Sequence, residues 1–228
     1  LSNVEYLVIK RHVDEGHTQT ALVTARDMLS SATAANDKYR QAYAYYSIGL
    51  IYQAVERYGE ATDALEKSVA IMDAALKDFP PLDYIKAQLE LLSTQYSVGR
   101  YAESLKTCKA AADRLDKFIA SEDPDFQMGI NCMSMRLHIE CYTVRNYLAM
   151  NELALASKHL DAASDCMYPA IGLDREIFNE TSAMYYDRIG DFGRALDYAD
   201  LSVNAFRDSH LAPYYIEALT LKKKILAD

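Results

Sequence analysis

The stretch Tyr45-Tyr46-Ser47-Ile48-Gly49-Leu50-Ile51-Tyr52, followed by Arg57-Tyr58-Gly59-Glu60-Ala61 and Ala64-Leu65, constrains the fold most. It reads as a helix with a small residue where a neighbour packs close, a tight turn, and a second helix returning along the first. The pattern recurs in phase through the chain. Aligning the turns at Gly16, Glu56, Gly99, Asn151 and Gly190 gives steps of 40, 43, 52 and 39 residues. Gly or Asn stands at four of the five, and both tolerate the left-handed conformation that ends a helix. Five residues after each anchor stands a small side chain: Ala21, Ala61, Ser104, Ala156 and Ala195. Two residues after it comes one suited to plug the corner: Tyr58, Tyr101, Leu153 and Phe192, with Thr18 the weak member. Small residues let helices approach, and the plug fills the gap at the turn.

With 8 Gly and 5 Pro in 228 residues, the chain is poor in hairpin turns and suited to long helices. Eleven are expected, at 2–14, 18–34, 37–56, 58–77, 82–98, 101–120, 124–149, 152–166, 173–189, 192–208 and 213–227. Asp123-Pro124 supplies an N-cap followed by Pro at the first helical position. Pro80-Pro81, Tyr168-Pro169 and Ala212-Pro213 mark other breaks. The 52-residue step implies an extra turn or break near Phe126 to Asn131. The reading is one domain, 1–228, with repeats at 2–34, 37–77, 82–120, 124–166 and 173–208 and a cap at 213–227. The cap's Lys222, Lys223, Lys224 and Asp228 keep its outer face wet, as a terminal element requires.

Charge narrows the partners. The formal net charge is −9 and the basic residues are scattered. Nucleic-acid binding is driven by phosphate neutralisation, so this balance argues against it, and equally against anionic membrane surfaces. No apolar run reaches the ~18 residues that a membrane span needs. Cys108, Cys132, Cys141 and Cys166 all sit within helical patterns and read as small buried thiols. Free thiols point to the cytoplasm and a sensor role to the periplasm, so compartment and oligomeric state stay open. The start at Leu1 and the end at Asp228 read as those of a fragment excised from a longer chain.

These turns, small residues and plugs resemble the tetratricopeptide repeat (TPR) family, in a long-repeat variant. The resemblance is strongest for Tyr45 to Ile71 and Tyr185 to Val203. It implies an all-α, right-handed α–α superhelix of about five helix pairs plus a C-terminal capping helix. The first helix of each pair would line a concave face. The residues it places there as partner contacts are Tyr43, Tyr46, Leu50 and Gln53, then Lys86, Leu89 and Tyr96, then His138, Tyr142, Arg145 and Met184. Tyr6, Lys10, Ser93, Cys141, Ile177, Glu180 and Asp187 fall on the same faces. Some members clamp a partner's terminal carboxylate with Lys, Arg and Asn. Here Leu50, Ser93 and Met184 occupy such positions, which argues against that clamp. Tyrosine gives contact area at low entropy cost, so a protein or peptide segment with apolar or aromatic side chains fits better. Tyr45, Tyr52, Tyr58, Tyr101 and Tyr186 read instead as core plugs.

No catalytic constellation, cofactor or metal is expected. Asp191-Phe192-Gly193 spells a kinase triplet, but it lies in a repeat turn and lacks its companion motifs. His138 with Cys141, and His159 with Cys166, lack tight ligand spacing. Asn179-Glu180-Thr181 matches a glycosylation acceptor inside a helix. The leading expectation is a non-catalytic recognition module for a polypeptide segment. The alternatives are the sensory or docking part of a larger bacterial signalling protein, and a self-associating structural subunit.

Overall fold

The computed structural model describes residues 2–122, 125–167, 173–207 and 212–227. Those residues form α1 (Ser2–Asp14), α2 (Thr18–Ala34), α3 (Lys38–Ala54), α4 (Tyr58–Ala74), α5 (Pro81–Ser97) and α6 (Tyr101–Glu122). These are followed by α7 (Phe126–Ala149), α8 (Leu153–Asp165), α9 (Leu173–Arg188), α10 (Phe192–Arg207) and α11 (Ala212–Ile225). A 3-10 turn, Leu76–Asp78, follows α4. Packing divides the chain into two compact units, Leu1–Arg114 and Leu115–Asp228, so the division falls within α6. In the first unit, α1 packs on α2, α2 on α3, α3 on α4 and α4 on α5, and α3 also lies against α1 and α5. In the second, α9 lies against α7, α8, α10 and α11.

One turn, used repeatedly, makes this architecture. Gly16, Glu56, Gly99, Asn151 and Gly190 all have positive φ, between 58° and 78°. Asn36, between α2 and α3, adopts it too, at 52°. After each, the next amide donates back across the turn: His17 N to His12 O at 2.7 Å, Arg57 N to Tyr52 O at 2.9 Å and Arg100 N to Gln95 O at 2.8 Å. Glu152 N to Tyr147 O and Asp191 N to Tyr186 O repeat it at 2.8 and 2.9 Å. The anchor's own amide donates to the carbonyl three residues back. This is the Schellman closure, which satisfies carbonyls orphaned at a helix end. The residue that donates across the turn then starts the next helix with its carbonyl: Ala61 N donates to Arg57 O, and Ala195 N to Asp191 O, both at 3.0 Å.

Glu56 is the departure from the Gly/Asn pattern, since a left-handed residue with a Cβ costs about 1–2 kcal/mol. It is exposed, so the cost is not repaid by packing. Glu56→Gly is therefore expected to raise stability by about 0.5–1 kcal/mol after the larger unfolded-state entropy of glycine is counted. Urea denaturation reads this directly, and an unchanged or lowered midpoint would contradict the strain argument.

Small residues sit where helices meet. Ala21, Ala61, Ser104, Ala156 and Ala195 are all fully buried. Ser104 Oγ also donates to Leu92 O at 2.8 Å, tying α6 to α5. Gly49 makes the closest approach: a Cβ there would lie 2.6 Å from Cγ of the fully buried Leu65. Three tyrosines expected as core plugs are half-buried rings covered by cations. Arg57 lies over Tyr52, Lys67 over Tyr45 and Arg194 over Tyr186, at 4.9, 5.6 and 4.2 Å. Phe192 departs from its expected role as a plug and is 43% exposed.

Four expectations need correction. Asp125, not Asp123, caps α7, with Oδ1 accepting from Met128 N at 2.8 Å. Asp123-Pro124 itself lies outside the described residues, as does the Tyr168-Pro169 break. Helix α7 then runs unbroken through Phe126 to Asn131, so the extra length of the 52-residue step goes into α6 and α7, of 22 and 24 residues. Helix α4 ends at Ala74, three residues early, because the chain tightens into a 3-10 turn and swings Phe79 into the core. Cys108, Cys132 and Cys141 are buried thiols, whereas Cys166 is half-buried.

Candidate functional site

Helices α1, α3 and α5 present one face of the first unit. Residues Tyr39, Tyr43, Tyr46, Leu50 and Gln53 step along α3 at intervals of four and three, which keeps them on a single stripe. Tyr6 of α1 meets Tyr43 and Tyr46 with ring centroids 6.3 and 6.1 Å apart. Tyr39 stacks on Phe79 at 5.2 Å and lies 4.8 Å from Tyr43. Tyr43 is buried, and its hydroxyl donates to Asp83 Oδ2 at 2.5 Å. Burial, reinforced by that bond, pushes the Tyr43 phenol well above its ordinary range. Burial does the same for Tyr46, with Glu90 adding to the effect. Both stay neutral hydrogen-bonding rings at any physiological pH.

Helix α5 supplies the opposite side. Its Asp83, Lys86, Glu90 and Ser93 are spaced three, four and three apart and share a face. Lys86 is exposed and lies 3.6 Å from Asp83 Oδ1, while Leu89 is half-buried. Gln53 Nε2 donates to Ser93 Oγ at 3.4 Å. The Gln53 Oε1 atom is shielded from solvent and accepts no hydrogen bond among the described residues. Burial raises the Glu90 carboxyl, and the Gln53 side chain partly offsets that. Tyr96 stands apart from this group, against Tyr101 at the α5–α6 corner, 5.6 Å between centroids.

In the second unit, the corresponding residues of α7 and α9 face one another. Arg145 is buried, and its Nε donates to Thr181 Oγ1 at 2.8 Å. Its terminal nitrogen reaches Glu180 Oε2 at 3.2 Å and Ile177 O at 3.3 Å. The guanidinium also lies 5.2 Å from the Tyr142 ring centre. Burial raises the Glu180 carboxyl, and Arg145 opposes that. His138 Nδ1 sits 3.5 Å from Asp174 Oδ1, and burial lowers its pKa while Asp174 opposes. Asp174 Oδ2 accepts from Ser134 Oγ at 2.7 Å. Met184 packs on the core formed by Leu137, Cys141, Val144 and Phe178.

The structure therefore brings together Tyr43, Tyr46 and Gln53 with Lys86 in one unit, and His138, Tyr142, Arg145 and Met184 in the other. It adds Tyr39, Phe79, Asp83 and Glu90, which sequence reasoning passed over. The four-three spacing of Lys86, Glu90 and Ser93 on one helix was the available signal for Glu90. His159 Nδ1 lies 2.6 Å from Glu140 Oε2, and His138 Nδ1 lies 3.5 Å from Asp174 Oδ1. Burial pushes the Cys141 thiol up to about 12. The kinase-like Asp191 is a helix cap that accepts from Arg194 N at 3.1 Å. Asn179 is buried and donates to Glu176 Oε2 at 3.2 Å, out of reach of a glycan.

No protein-family model and no curated protein matches this sequence. Solved structures do. One is a Podosopora anserina protein described as a kinesin light chain with nearly identical TPR-like repeats: TM-score 0.63, 16% identity, covering 91% of this chain and 96% of that one. A point variant of that protein gives a TM-score of 0.65 at 16% identity, covering 90% and 93%. This is a TPR-like fold. The all-α tandem of helix pairs expected from the sequence is thus the observed one. The helix pairs begin at Ser2, Lys38, Pro81, Phe126 and Leu173, at steps longer than ~34 residues, and α6 and α7 are the longest helices among the described residues. Among the described residues, no helix is long and apolar enough to cross a membrane.

Proposed function

We propose that the chain is a non-catalytic recognition module that binds a polypeptide segment across the α1–α3–α5 face. The observation that carries this is the tyrosine row, Tyr6, Tyr43 and Tyr46, running beside the orphan acceptor Gln53 Oε1. A shielded acceptor without a donor costs about 1–3 kcal/mol, and a rotation of the Gln53 amide that brings Oε1 out to a partner's backbone N–H would remove that cost. Tyr46 and Leu50, both half-buried, supply apolar contact, and exposed Lys86 fixes register at the rim. Tyr43 contributes as a positioning residue, since its hydroxyl already serves Asp83. In the second unit, Arg145 and His138 are engaged by Glu180 and Asp174, so that face braces α7 against α9. The TPR-like fold, which exposes rows of first-helix side chains, supports a protein partner.

The test is selection from a phage-displayed library of linear peptides. Selected peptides are expected to be rich in aromatic and aliphatic side chains. Tyr46→Ala should weaken them about tenfold or more, as loss of an aromatic anchor does. Val23→Ala, at a 49% exposed position on α2, should leave affinity unchanged. Equal binding to Tyr46→Ala and wild type, with helicity intact, would overturn the proposal.

A further inference from the structure

At the α1–α2 corner the chain gathers three donors of the kind that hold a transition metal. His12 lies in the last turn of α1, Glu15 follows the helix, and His17 precedes α2. One ligand atom from each lies within 4.8 Å of the others. The turn itself makes this possible. Gly16 at φ 76° folds the chain back so that His17 N donates to His12 O at 2.7 Å, placing the two imidazoles 6.1 Å apart between ring centres. His17 Nδ1 is already 3.4 Å from Glu15 Oε2. That is close to the edge of a tetrahedron around zinc, whose bonds to nitrogen and oxygen are each about 2.0–2.2 Å.

The surroundings leave these atoms available. Arg11 Nε takes Glu15 Oε1 at 2.8 Å and so leaves Oε2 toward His17. His12 Nδ1 is shielded from solvent and has no hydrogen-bond partner among the described residues, so the fold does not already consume it. Glu15 and His17 are exposed, which lets their rotamers close the remaining distance without disturbing the core. Among the described residues no other His, Cys, Asp and Glu combination gathers in this way.

We infer that His12, Glu15 and His17 form a binding site for a divalent first-row transition ion of the zinc class, with two imidazoles, one carboxylate and water as the fourth ligand. Imidazole and carboxylate together suit zinc over magnesium or calcium, which take oxygen alone. The ion would tie the end of α1 to the start of α2 and so fix the corner of that hairpin.

Untagged protein titrated with zinc chloride against a chromogenic chelator tests this. One ion per chain is expected, with the His12 and His17 ring signals moving in NMR spectra while those of His138 and His159 stay. His17→Ala should weaken binding at least about tenfold, and so should His12→Ala. Zinc should raise the melting temperature of the wild type and not of His17→Ala. His17 is exposed, so that variant folds whatever the outcome. Unchanged zinc affinity in His17→Ala, or shifts confined to other histidines or cysteines, would overturn the site.

Discussion

Arg145→Met is expected to destabilise the second unit by about 3–5 kcal/mol, the cost of breaking a buried ion pair from one side. Arg145 donates to Thr181, to the Ile177 carbonyl and to Glu180, and the pair's side chains are 9% and 12% exposed. Removing the guanidinium leaves a carboxylate in a site that already disfavours its charge. The pH dependence has a definite sign. Burial raises the Glu180 pKa above its unfolded value, so its charged form opposes folding, and that opposition grows as pH rises above the usual carboxylate range. Without Arg145 the effect is larger, so the deficit should be greatest near neutral pH and shrink as Glu180 takes up a proton. Adding Glu180→Leu to Arg145→Met should recover most of the loss, because a well-packed apolar pair replaces such a bridge at little cost. Urea titrations at two pH values read all three outcomes. A loss below 1 kcal/mol, or no recovery in the double variant, would show that the pair does not brace α7 on α9.

Gly49→Val is expected to cost about 3 kcal/mol, the upper end of overpacking. A Cβ at this position would meet Leu65 Cγ at 2.6 Å and both of its methyl carbons at 2.9 and 3.3 Å. The γ carbon cannot swing aside as a side-chain tip could, and Leu65 is fully enclosed. Gly49→Ala should also destabilise, although alanine gains up to about 1 kcal/mol over glycine within a helix. The sign should reverse once the obstacle is gone. In a Leu65→Ala background, itself about 2–5 kcal/mol less stable, Gly49→Ala should stabilise. That reversal in a double-mutant cycle identifies close helix approach, rather than helix propensity, as the reason for glycine. Gly49→Ala with the same sign in both backgrounds would contradict it.

How much could be read in advance follows from range. The Schellman anchors and the five buried small residues are local features, fixed by φ and by spacing, and they stood out in the sequence. Gly49 was also readable, because a helix interior tolerates glycine poorly unless a neighbour needs the room. Glu56 kept its place through periodicity alone, with the wrong residue type for its conformation. The cap of α7 was ambiguous because Asp123 and Asp125 both precede the apolar run, and the chain begins its helix at the second. The site was less legible. Whether Arg145 faces a partner or Glu180 depends on how α9 is set against α7, some 35 residues along the chain. Asp83 and Glu90 matter for the same reason, through Tyr43 and Gln53 on another helix.

Hydrogen exchange on the chain with and without a selected peptide tests the recognition face most directly. The account predicts slowed exchange along α1, α3 and α5, centred on the segments around Tyr46, Gln53 and Glu90, with α2 and α4 unchanged. Slowing confined to α2 and α4, with the Tyr46 segment exchanging as before, would contradict it.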